Sequence, residues 1–202
     1  MATVQRRPSA PAPRGAPCPP GLPFCWGATA AEVADDYPCA GLAPAPYRSI
    51  WRAVDVAAPA AVTWRWLRQV KVAPYSYDWI DNLGRRSPRT LTAGLADIAV
   101  GDELMVFRVV AAEPGREFTG VMTPRAERLF GQISGTYRVT PVDDERSRLV
   151  VRLDISVRGL ADRLRALPLA WGDLVMMRKQ LLTLKHLAET SPTMARHDGE
   201  SR

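Results

Sequence analysis

The sequence predicts an α+β domain in which a curved antiparallel β-sheet wraps around a long C-terminal helix and encloses an apolar cavity. Three observations predict it. A strand followed by a pair of short helices opens the domain, a run of alternating strands with tight turns follows, and one amphipathic helix closes it.

The chain has 202 residues, 47% of them hydrophobic, which suffices for a single domain with its own core. Residues 1 to about 24 are rich in Pro and Ala and lack periodicity, so the stretch 1–46 is expected to be a largely disordered arm. Thr29 and Glu32 have capping-box spacing, which allows one short helix within it, and Trp26 is placed to pin that helix to the domain. The folded domain is expected over 47–190, with a polar tail over 191–202.

Ile50, Val54 and Val56 alternate as a half-buried strand requires. Pro59 fits a first helical turn, and Val62, Trp66, Leu67 and Val70 follow at helical spacing. Ser76 can cap a second short helix with Asp78 in its first turn and Gly84 at its end. Strands are then expected at Leu104–Ala112, Glu117–Met122, Gln132–Val139 and Leu149–Val157, separated by turn residues. In the last of these Val151, Leu153, Ile155 and Val157 face a greasy side, and Arg152 and Asp154 a wet one. The closing helix is expected from Leu169 to Glu189, with Leu174, Met177, Leu181, Leu184 and Ala188 on its buried stripe and Trp171, Val175 and Leu182 beside it.

The formal net charge is +6, which raises nucleic acid or an anionic membrane as partners. The arginines are scattered among acidic residues, and the tight cluster Arg85, Arg86 and Arg89 suits a solvated loop, so neither a nucleic-acid partner nor an anionic membrane is expected from the charge. Cys18, Cys25 and Cys39 lack metal-ligand spacing, and His186 and His197 are the only histidines, so neither metal nor cofactor is expected. No apolar stretch reaches the length of a bilayer span, and the chain reads as cytoplasmic.

The order of elements, together with the run Ala73-Pro74-Tyr75-Ser76-Tyr77-Asp78-Trp79-Ile80-Asp81-Asn82-Leu83-Gly84-Arg85-Arg86-Ser87-Pro88 and the segment Val175–Leu182, resembles the START-like or SRPBCC superfamily, in an uncharacterised bacterial branch. That superfamily includes birch-pollen-allergen-like proteins and polyketide cyclases. The resemblance implies a helix-grip fold and a small, largely hydrophobic ligand, lipid or polyketide-like. The iron-ligand histidines of the oxygenase branch have no counterpart here.

Within such a cavity the expected lining is Trp66, Trp79, Met105, Phe107, Met122, Tyr137, Trp171, Met177 and Leu181, with the methionines as adaptable contacts or ordinary core filler. Tyr75, Tyr77 and Asp78 bring two phenols and a carboxylate within four residues. They could orient a polar ligand head or move protons, as a cyclase or dehydratase would require. Equally, Asp78 suits a helix start, and Trp79 and Leu83 pack at i, i+4. Binding of a small apolar molecule is the favoured reading because no catalytic constellation is specific, with a cyclase or dehydratase as the alternative and an arginine-mediated accessory role as the third.

Overall fold

The computed structural model describes residues 21–77 and 86–191. The elements are β1 (Cys25–Trp26), α1 (Ala30–Ala34), β2 (Tyr47–Val56), α2 (Ala60–Leu67) with a 3₁₀ turn (Arg68–Lys71), β3 (Glu103–Leu104), β4 (Phe107–Glu113), β5 (Glu117–Met122), α3 (Pro124–Phe130), β6 (Ile133–Pro141), β7 (Ser147–Ser156) and α4 (Leu160–Glu189). The second short helix expected between Ser76 and Gly84 falls mostly outside the described residues.

The strands form one curved seven-stranded sheet in the order β1-β2-β7-β6-β5-β4-β3, with α4 packed on its inner face, which is the helix-grip arrangement. All neighbours are antiparallel except β1 with β2. Strand alternation decides what faces α4. Ile50, Val54 and Val56 of β2, Val151, Leu153 and Ile155 of β7, and Tyr137 and Val139 of β6 all belong to one core with Leu181, Leu184 and Leu187 of α4.

The outer face differs from the wet surface expected. Trp51, Ala53 and Val150 project there and are covered by Cys25, Ala28, Tyr37 and Cys39, so residues 21–46 lie against the sheet rather than trailing from it. The short helix α1 forms with its capping box, Thr29 Oγ1 accepting from the Glu32 amide and Glu32 returning to the Thr29 amide. Polar ties complete the seam. Arg138 meets Asp35 at 2.9 Å and Glu117 at 2.5 Å, Arg148 meets Glu32 at 2.7 Å, and the Cys39 amide donates to Thr136 Oγ1 at 3.1 Å. Arg152 and Asp154 pair at 3.0 Å, and Asp154 is fully buried. Gly27 makes the close approach possible. It has φ +75, and a Cβ there would overlap the Ala53 carbonyl oxygen.

Two further differences lie in the helices. The closing helix begins nine residues earlier than expected, at Leu160, and continues through Pro168. Asp162 starts it by accepting from the Gly159 amide at 3.0 Å, a helix-start signal nine residues ahead of the expected one. The helix α3 was not expected at all, although Thr123 caps it and Pro124 occupies its first turn.

Candidate functional site

A polar set crosses the otherwise apolar layer between sheet and helix. Register places Arg52, Val151, Tyr137 and Phe118 side by side on four adjacent strands, all pointing inward. Above them α4 presents Ala170, Asp173, Met177 and Gln180, spaced three, four and three residues apart and hence on one face.

Arg52 is fully buried. Its Nη2 lies 2.8 Å from Asp173 Oδ2 and donates to the Ala170 carbonyl at 3.1 Å, while Nη1 donates to the Trp51 carbonyl at 2.9 Å. The small side chain at Ala170 leaves the guanidinium room to reach the helix backbone. Its Nε has no hydrogen-bond partner. Burial pushes the Asp173 carboxyl up to about 6, against the opposing pull of the Arg52 charge. Burial likewise lowers Arg52 below the ordinary guanidinium value, with Asp173 opposing.

Tyr137 stacks on Phe118 with ring centroids 4.9 Å apart. Its hydroxyl donates to Gln180 Oε1 at 3.0 Å and lies 3.3 Å from Met177 Sδ. Burial raises the phenol well above its ordinary value, and the Asp173 charge adds to the shift, so it is an O–H donor at any physiological pH. Gln180 in turn donates through Nε2 to the Pro74 carbonyl at 2.6 Å, with Met105 Sδ at 3.4 Å. Two residues beside this glutamine, Tyr75 (φ 57) and Met105 (φ 56), adopt left-handed backbone conformations. Such strain in non-glycine residues concentrates where surroundings hold a functional geometry.

Of the residues expected from sequence, Tyr137 reaches Gln180 and Met177, Leu181 is fully buried beside them, and Met105 is a correction, 41% exposed with only its sulfur turned to Gln180. Phe107 and Met122 pack against the same core from β4 and β5, half-buried. Trp66 is buried on α2, edge-on to Tyr75, and donates through Nε1 to Ser191 Oγ. Tyr75 is buried in the core, whereas Tyr77 is half-buried. Asp78 and Trp79 lie outside the described residues. Trp171 is a correction. It is 49% exposed on the outward side of α4, because about 100° per residue turns it away from the stripe that carries Leu174 and Met177.

Arg52, Asp173 and Gln180 escaped the sequence reading. The signal was present: Arg52 falls in the inward phase of Ile50, Val54 and Val56, and Asp173 and Gln180 sit on the helical face of Ala170 and Met177. Among the described residues no group of His, Cys, Asp and Glu could hold a metal ion, and no helix is long and apolar enough to cross a membrane.

No protein-family model matches the chain, and no curated protein matches it. Solved structures similar in shape include the ZhuI aromatase/cyclase of Streptomyces sp. R1128, at 21% identity and TM-score 0.45, covering 71% of this chain and 94% of that one. Norcoclaurine synthase of Thalictrum flavum is similar at 12% identity and TM-score 0.48, covering 73% and 90%. A protein of Mesorhizobium loti is similar at 15% identity and TM-score 0.46, covering 72% and 100%. Likeness at this level says nothing about activity.

Proposed function

We propose that this protein binds a small, largely hydrophobic molecule carrying at least one hydrogen-bonding group, between the inner face of the sheet and α4. The observation that carries the reading is a polar set within an apolar layer, in which Arg52, Tyr137 and Gln180 are buried and Asp173 is half-buried against Arg52. Buried polar groups are costly unless fully satisfied, and Arg52 Nε is not. A ligand head that accepts from Arg52 or Tyr137 supplies a reason for the set. Met122 and Met177 supply adaptable apolar contacts around it. The resemblance of the sequence to the START-like superfamily supports the same reading.

A second reading, acid–base catalysis of the cyclase or dehydratase kind, is favoured by one feature. Asp173, with its carboxyl near 6, is suited to exchange a proton near neutral pH, and neutral Tyr137 can donate to a developing enolate. In that reading Tyr75, Tyr77 and Asp78 serve as further head-orienting or proton-moving groups.

The test is native mass spectrometry of the freshly purified protein for a co-purified small molecule, together with titration by an apolar fluorescent probe. Saturable 1:1 probe binding that weakens in a Met177→Ala variant retaining its fold by circular dichroism supports the site. A protein that carries nothing and binds no probe sinks the reading.

A further inference from the structure

We infer that the amino-terminal two-thirds of α4 docks on an anionic lipid surface. This rests on the outward side of the helix and not on the interior reading. Leu160, Leu164, Leu167, Trp171 and Val175 are 49–75% exposed. At about 100° per residue they fall on one strip, roughly a third of a turn from the buried strip of Ala166, Ala170, Leu174 and Met177. The strip is continuous over four helical turns and has no partner among the described residues. Large apolar side chains at that density on a helix face mark an interaction surface.

The charge around the strip selects the occupant. Between residues 158 and 179 lie five basic residues, Arg158, Arg163, Arg165, Arg178 and Lys179, against two acidic ones. Both acids point elsewhere: Asp162 pairs with Arg165 at 2.6 Å and Asp173 turns inward to Arg52. Arg163, Arg178 and Lys179 are exposed, and Arg178 sits 5.7 Å from the Trp26 ring. An apolar strip with a basic rim and a tryptophan at its centre has the make-up of a helix that lies in a lipid interface. A second copy of the chain fits less well, since facing strips would oppose basic rims on a protein of net charge +6.

The experiment is co-sedimentation of the full chain with vesicles of phosphatidylcholine alone or with added phosphatidylserine. Wild type is expected to bind the serine-containing vesicles, to bind them less as salt rises, and to bind phosphatidylcholine much more weakly. Leu164→Gln/Leu167→Gln/Trp171→Gln is expected to lose about tenfold or more in partitioning while keeping its thermal midpoint, because the side chains removed are exposed. If that variant does not fold, Arg163→Gln/Lys179→Gln decides, with an expected loss of about tenfold and a flatter salt dependence. Absence of wild-type binding to anionic vesicles, or equal binding by the folded variants, overturns the inference. So does a dimer that the triple substitution dissociates, which would assign the strip to a second copy.

Discussion

Arg52 of β2 and Asp173 of α4 pair at 2.8 Å across the sheet–helix interface, and the arginine is fully buried while the aspartate is not. The pair joins the strand at one side of the core to the helix that closes it. Breaking such a pair costs more than it contributes, because the surviving charge stays without a partner.

The first prediction follows from the charge on Asp173. Its carboxyl sits near 6 in the folded protein, above its ordinary 3.8. The folded state therefore holds this proton more tightly than the unfolded state does. The group's contribution to stability is fully present below about pH 4 and is lost as pH rises through about 6, an effect of up to roughly 3 kcal/mol. Carbon-detected NMR should show the Asp173 carboxyl titrating near pH 6, and in Arg52→Met the midpoint should move higher, since the opposing positive charge is gone. A midpoint at or below 4, or no movement in the variant, would refute the assignment.

Tyr137 and Gln180 allow a second test. Tyr137→Phe removes one hydrogen bond and leaves Gln180 Oε1 open, a loss of about 1–2 kcal/mol. Gln180→Leu leaves the Pro74 carbonyl without this donor and the Tyr137 hydroxyl with only the weak Met177 sulfur acceptor, so about 2–4 kcal/mol is expected in denaturant unfolding. In a carrier, Tyr137→Phe binds an apolar probe within a few-fold of wild type. In an enzyme, turnover falls by roughly 10²–10⁴-fold while binding persists.

Periodicity made the elements legible and left the site obscure. β2, β5 and α2 stand where alternation and Pro59 put them, because a half-buried strand and a capped helix follow from local chemistry. Residues 21–46 were opaque for a physical reason. Their burial depends on Trp51, Ala53 and Val150 offering an apolar outer face, and a two-residue strand such as β1 has no period to detect. For α4, helical spacing put Leu174, Met177, Leu181, Leu184 and Ala188 on the buried stripe, where they lie, whereas Trp171 beside it is as apolar and nonetheless faces outward. Arg52 was readable as a charge in a core phase, but that rule is overridden whenever a sheet is covered on both faces.

The covered outer face gives a third prediction. Tyr37 is buried, lies edge-on to Trp51 with ring centroids 5.3 Å apart, and carries the Arg138 guanidinium 4.1 Å from its centroid. Tyr37→Ala should cost about 3–4 kcal/mol, as for an aromatic in any core. A loosely attached arm would instead tolerate it within about 0.5 kcal/mol. Chemical denaturation separates the two outcomes.

The fourth prediction sets two leucines of α4 against each other. Leu181 is fully buried among the sheet-facing side chains, whereas Leu164 is 68% exposed. Leu181→Asp buries a carboxylate with no partner and removes the apolar contacts of the side chain, a loss of several kcal/mol that should unfold or aggregate the protein. Leu164→Asp exchanges one solvated group for another. Thermal midpoints should therefore be nearly unchanged for Leu164→Asp and lost for Leu181→Asp. If Leu164→Asp proves as damaging as Leu181→Asp, the outward strip is buried in the native protein and the helix face has been assigned wrongly. Lys185 offers an internal control, because its Nζ donates to the Asp55 carbonyl and pairs with Glu189 at 2.6 Å on the solvent side. Lys185→Met should cost no more than about 1 kcal/mol, the worth of a surface pair with one added hydrogen bond.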